Sequence, residues 1–157
     1  MPNSPISKIL DSFMEEGIKL SPIGATMLGV PGLDDQLDDL SMAGHDKRAE
    51  LTRKTLNAIN AETPISEIDR IARDVAVERL SSELKLNDTY EARILFNLIS
   101  SPVTSIRQVF EMMKKENPET IANVTKRLNG ISAAFDGWKS SLNFVAEKGK
   151  FNSRRQV

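Results

Sequence analysis

Residues 131–149 read ISAAFDGWKSSLNFVAEKG. Ile131, Phe135, Trp138, Leu142 and Val145 recur three and four residues apart. That is the period at which side chains share one face of an α-helix. Polar Asp136, Lys139 and Ser140 fall between them, so the face has a wet side and a dry side. The spacing predicts a helix from about residue 132 to 148, stopped by Gly149, a residue suited to the turn beyond a helix end.

The same period extends backwards through the chain, and no convincing alternation of period two interrupts it. Dipeptides that put Pro at a first helical position punctuate it: Ser4-Pro5, Ser21-Pro22, Thr63-Pro64, Ser101-Pro102 and Asn117-Pro118. Ile6, Ile9, Leu10, Phe13 and Ile18 form the stripe of a first helix, and a short second one follows Pro22 through Leu28. In LDDQLDDL, residues 33–40, Leu33, Leu37 and Leu40 fit one helical face with four Asp around it. Ser41 or Gly44 precedes a helix to about Asn60, lined by His45, Ala49, Thr52, Leu56 and Ile59. After Thr63-Pro64, the expected core positions are Ile65, Ile68, Ile71, Ala72, Val75, Leu80 and Leu84, with residues 86–89 as a turn. Residues 90–99 are short and strongly apolar; Glu91, Ala92 and Arg93 favour helix over strand. Val103, Ile106, Val109, Phe110 and Met113 mark one further helix. Ile121, Val124 and Leu128 mark another, ended by Gly130. The expected fold is all-α: an irregular bundle of about seven or eight helices, with short Pro-punctuated connections, in a single domain over residues 1–157.

Composition narrows function by exclusion. The 157 residues are 39% hydrophobic, 27% charged and only 5% aromatic, so the core is aliphatic. Twenty-one basic residues against 22 acidic give a net charge of −1, which supplies no general field for nucleic acid. No window approaches the roughly 20 apolar residues of a membrane span, and the start lacks the features of a secretory signal. The expectation is a soluble, cytoplasmic protein without nucleic-acid or membrane partners. With no Cys, disulfides and thiolate metal sites are ruled out.

The local candidates for chemistry each have a plainer reading. One His, His45, excludes an HExxH pair within this sequence. Asp34, Asp35, Asp38 and Asp39 lack the spacing and turn Gly of a calcium loop and read as a solvated acidic face. Gly24, Gly29 and Gly32 do not form a phosphate loop. Residues 120–142 have the outline of a helix-turn-helix. The would-be recognition helix offers only Lys139, and its large residues are spaced as a core stripe. Met112 and Met113 read as core filler. No catalytic, cofactor-binding or metal-ligating residue is assigned.

Two blocks carry a resemblance. The first holds Pro22, Ala25, Thr26, Gly29, Asp38, Leu40 and Ser41. The second holds Arg127, Leu128, Ser141, Leu142, Gly149, Arg155, Gln156 and Val157. In this order they resemble the amino-terminal part of the bacterial "domain of unknown function 885" family. The resemblance implies a longer, mostly helical protein similar to zinc metallopeptidases of the HExxH type. It places the zinc motif downstream of the matched region, so no cofactor falls to this chain while zinc is implied for the parent. On that basis the chain is a non-catalytic amino-terminal region, a scaffold or substrate-channel wall. It would meet the remainder of the parent, or a second copy of itself, through an exposed apolar face near the last helix. The alternative is a self-contained helical interaction or regulatory module. GKFNSRRQV, residues 149–157, then reads as a junction to further structure, its basic residues frayed or solvated.

Overall fold

The computed structural model describes residues 4–94, 96–97, 99 and 101–152. Every regular element among them is helical. Six helices have eleven residues or more: α1 (Pro5–Lys19), α3 (Met42–Ala61), α4 (Glu67–Asp88), α5 (Pro102–Met112), α6 (Pro118–Asn129) and α7 (Ile131–Glu147). The six-residue α2 (Pro22–Met27) and a single 3-10 turn (Glu91–Arg93) are connectors. Seven or eight full helices was therefore too many. Residues 33–40 form turns and extended chain. Residues 90–99 give only the 3-10 turn among those described; Leu95 and Leu98 lie outside the described residues.

The capping chemistry explains most starts. Ser4, Ser101 and Asn117 accept hydrogen bonds from the backbone N–H three residues on, with Pro following each in the first turn. Asn117 also completes a reciprocal box with Thr120. Thr63-Pro64 behaves differently: α4 starts later, capped by Ser66 Oγ accepting from Asp69 N–H at 3.1 Å. The other end of α4 also differs from expectation, because the helix runs through residues 86–88. Tyr90, left-handed at φ 63°, then turns the chain out of it.

Two apolar clusters make the interior. Ile6 of α1, Ile59 of α3, and Ala76 and Leu80 of α4 form the first, with Phe13, Leu56 and Val77 against them. Ile23 of α2 with Ile106 and Val109 of α5 form the second, closed by Leu37, Leu40, Ile131 and Phe135. The face read from residues 131–149 thus points inward, and Val145 is fully buried.

Two helices turn a different face inward from the one their apolar residues mark. On α4, Ile68 is 64% exposed and Ile71 and Val75 are also on the surface, as is Ile65 just before the helix. The buried side is Asp69, Ala76 and Leu80. Asp69 explains the rotation. Its carboxylate accepts from Ser4 Oγ and, at 3.0 Å, from Ile65 N–H. That joins the starts of α1 and α4, and it faces Asp69 towards α1. On α6, Ile121 and Leu128 are exposed and Arg127 is fully buried.

Candidate functional site

The burial of Arg127 organises the region that carries most of the sequence signal. A guanidinium taken out of water needs acceptors for its fork of N–H donors. α2 and the chain that follows it supply acceptors for Nε and Nη2, while Nη1 is buried without a hydrogen-bond partner among the described residues. Arg127 Nε donates to Gln36 O at 2.8 Å, and Nη2 donates to Leu33 O at 2.8 Å and Thr26 Oγ1 at 2.9 Å. Pro22 O lies at 3.5 Å from the same Nη2. Burial pulls the guanidinium's pKa down, and the charges of Asp34, Asp38 and Asp35 oppose that pull.

The four aspartates are brackets rather than a solvated face. Asp34 accepts from Thr26 Oγ1 at 3.0 Å. Asp38 accepts from Ser21 Oγ at 3.1 Å and Ile23 N–H at 2.9 Å, satisfying the start of α2 that Ser21 leaves uncapped. Asp35 pairs with Lys126 at 3.4 Å, and Asp39 accepts from Ser41 N–H at 3.0 Å. Ser141 of α7 donates to Leu40 O at 2.8 Å. Residues 39–41 are pressed between two glycines. A Cβ on Gly44 would lie 2.1 Å from Asp39 O, and one on Gly137 would lie 3.2 Å from Ser41 N. No side chain fits the first without moving backbone.

Beside this knot lies a cleft of about 280 Å³ between α2, α5 and α6. Thr26 and Asp34 form its polar wall, Met112 and Met113 its apolar wall, and Lys114 and Asn123 part of its rim. Thr26 has its hydroxyl committed on all sides: towards Pro22 O and Asp34, and accepting from Arg127. The cleft can hold a small group, and its best-placed polar atoms are already used in holding the fold.

His45 sits half-buried on α3. Burial pushes its pKa down to about 4, helped by the nearby charges of Arg48 and Arg93. It is therefore neutral at pH 7. Arg93, 3% exposed, donates to Asp46 Oδ1 at 2.8 Å and Asn87 Oδ1 at 3.1 Å, and its guanidinium lies 5.0 Å from the Tyr90 ring centre. His45 thus stands in a structural group linking α3, the end of α4 and the 3-10 turn. Among the described residues, no three of His, Cys, Asp and Glu are arranged to hold a metal ion.

The end of α7 is also tied down. Gly149, at φ 75°, turns the chain as its residue type predicts. Lys150 Nζ donates to Thr89 O, and Lys148 lies 5.3 Å from the Phe144 ring centre. Lys150, within residues 149–157, is exposed and solvated as expected, and its hydrogen bond to Thr89 holds it against the body. Arg154, Arg155, Gln156 and Val157 lie outside the described residues.

The sequence reading missed Arg127, Asp69 and Arg93 as buried groups, since periodicity counts charged residues as wet. The one available signal was position: Arg127 falls on the inward side once residues 22–41 are known to lie against α6. No helix among the described residues is long and apolar enough to cross a membrane. A family model described as "Bacterial protein of unknown function (DUF885)" matches residues 22–157. No curated protein matches the chain.

Proposed function

The chain belongs to the DUF885 family of bacterial proteins of unknown function, and from that premise we propose that it is a non-catalytic helical scaffold. In this reading it walls one side of a substrate channel in a metallopeptidase-like protein, whose zinc-bearing part is supplied by other residues. The observation that carries the reading is the use made of the family-like side chains. Arg127, Thr26, Asp38 and Ser141 hydrogen-bond to backbone or to one another; Asp38 closes the segment of residues 22–41 on itself, and Arg127 and Ser141 hold it against α6 and α7. Polar groups spent this way fix a shape. The exposed stripe on α4 supports a docking role, because it is aliphatic surface without a partner in this fold.

Zinc, where the parent reading applies, would activate a water for attack on a peptide carbonyl. His45 does not fit as a ligand here: among the described residues no three of His, Cys, Asp and Glu are arranged to hold a metal ion, and burial with the charges of Arg48 and Arg93 outweighs Asp46 and Asp39 in disfavouring positive charge at its ring. The test is direct. The purified chain should take up no stoichiometric zinc and hydrolyse no peptide. Tight zinc binding, or hydrolysis that survives purification and is lost in His45→Gln, would overturn the scaffold reading.

A further inference from the structure

The cleft between α2, α5 and α6 brings polar groups of both charges together with an apolar wall. Its volume, about 280 Å³, lies just below the roughly 300–1,000 Å³ of sites for drug-sized ligands, so it suits a smaller molecule. Two of its polar side chains are spent. Thr26 Oγ1 is engaged with Pro22 O, Asp34 and Arg127, and Thr120 Oγ1 belongs to the cap of α6. Three others keep capacity. Asp34 accepts from Thr26 through Oδ1, and no hydrogen bond among the described residues engages its Oδ2. Asn123, half-buried, and Lys114, exposed, make no side-chain hydrogen bond or ion pair among the described residues.

Asp34 and Lys114 are the charged residues of the lining, and they come from different elements. Asp34 lies on the chain after α2, and Lys114 lies just beyond the end of α5. Behind Asp34, the buried Arg127 is opposed by the charges of Asp34, Asp38 and Asp35, and Asp35 is itself paired with Lys126. Asp34 and Asp38 against one guanidinium leave that wall net negative. A ligand with only a positive charge would leave Lys114 unanswered, and one with only a negative charge would meet Asp34. A small molecule carrying both charges answers both. Val30, Pro31, Met112 and Met113 supply the apolar part of the lining. Met113 is 6% exposed and anchored in the fold, whereas Met112 is 53% exposed. Unbranched thioether side chains adapt to the shape of an apolar group set against them.

We infer that this cleft binds a small apolar α-amino acid as its zwitterion. The ammonium group sits at Asp34 Oδ2, the carboxylate meets Lys114 and the Asn123 amide, and the side chain lies on Met112 and Met113. This inference stands apart from the scaffold reading, which assigns the cleft no ligand.

Leucine is the probe, with three relatives that each lack one part of it. 3-Methylbutylamine lacks the carboxylate, 4-methylpentanoate lacks the ammonium group, and glycine lacks the side chain. The readout is the methyl NMR spectrum of the full 157-residue chain labelled at its 6 methionines, with Met112→Leu and Met113→Leu assigning the two signals. Leucine should shift the Met112 and Met113 methyls saturably, with a Kd on the order of 1 mM, as suits so small a ligand. The Met14 and Met42 methyls should stay still. Each relative should bind at least tenfold more weakly. Lys114→Ala, at an exposed position, should weaken leucine at least threefold and leave 3-methylbutylamine unchanged. Asp34→Asn, which keeps a carboxamide oxygen for Thr26, should weaken leucine at least tenfold. No saturable shift up to about 20 mM leucine would overturn the assignment. So would equal binding of 3-methylbutylamine or 4-methylpentanoate, which would make the cleft a plain cation or anion site, and so would equal binding of glycine. Leucine affinity indifferent to Lys114→Ala would also overturn it, and that variant decides the matter if Asp34→Asn fails to fold. None of these outcomes involves zinc or peptide hydrolysis, so the scaffold reading stands or falls separately.

Discussion

α6 and α7 are neighbours in sequence, carry apolar residues at the same helical spacing, and bury different things. On α7 the apolar stripe is the inward face: Ile131 and Phe135 pack on the second cluster and Val145 is fully buried. On α6 the stripe is displaced, so Ile121 and Leu128 meet solvent while Arg127 occupies the interior. The difference lies in what faces each helix. α7 meets apolar side chains along its stripe, and only its Ser141 answers a carbonyl of the loop, that of Leu40. α6 meets a loop whose carbonyls at Leu33 and Gln36 need donors. α4 repeats the α6 pattern with the opposite sign of charge, Asp69 taking N–H and O–H donors. A buried charged group bonded to backbone and side-chain partners, as Arg127 is through Nε and Nη2, can thus rotate a helix against its own hydrophobic pattern.

The comparison breaks most visibly at Arg127. Arg127→Leu keeps an apolar stem but strips two carbonyls and Thr26 of their donor. Urea unfolding should show a loss of about 3–5 kcal/mol. A loss under about 1 kcal/mol would mean that apolar packing, not the hydrogen-bonded ion, orients α6. Asp69→Ala should cost about 1.5–3 kcal/mol by the same measurement, since Ser4 and Ile65 lose a charged acceptor.

His45 gives a pH-dependent version of the contrast. Its folded pKa, about 4, lies below its ordinary value of 6.5. The unfolded chain therefore binds the extra proton first, so the stabilising effect is full above pH 6.5 and is lost as pH falls towards 4. Allowing for the partial exposure of His45, the span is about 1–2 kcal/mol. Comparing urea midpoints of the parent and His45→Gln between pH 7 and pH 4.5 isolates it. A His45→Gln chain that loses as much stability as the parent over that range would refute this assignment. The smallest effect belongs to the displaced stripe: Leu128→Ser should change stability by less than about 0.5 kcal/mol, despite its apolar spacing. A larger loss would sharpen the account by showing that the outer face of α6 is covered.

Helix existence was legible wherever local chemistry suffices. Ser4, Ser101 and Asn117 with their following prolines mark helix starts, and α7 follows its stripe to within a residue. Facing was legible only where the partner is apolar. The outward turn of Ile68, Ile71 and Val75 depends on Asp69 meeting Ser4, 65 residues away in sequence. The burial of Arg127 depends on acceptors more than 90 residues away. Such contacts leave no local period. Residues 33–40 misled for a related reason. Their Asp and Leu spacing fits a helix, but Asp34 and Asp38 are held in place by α2, as caps and brackets.

The scaffold claim meets its most direct test in trans. The part of a longer DUF885 protein to which the scaffold reading assigns zinc, purified separately, would be mixed with this chain and tested for peptide hydrolysis by the release of a fluorescent product. The account predicts a one-to-one complex and a rise in turnover that Ile68→Ser with Ile71→Ser removes. Turnover indifferent to the chain, or hydrolysis by the chain with no partner present, would contradict it.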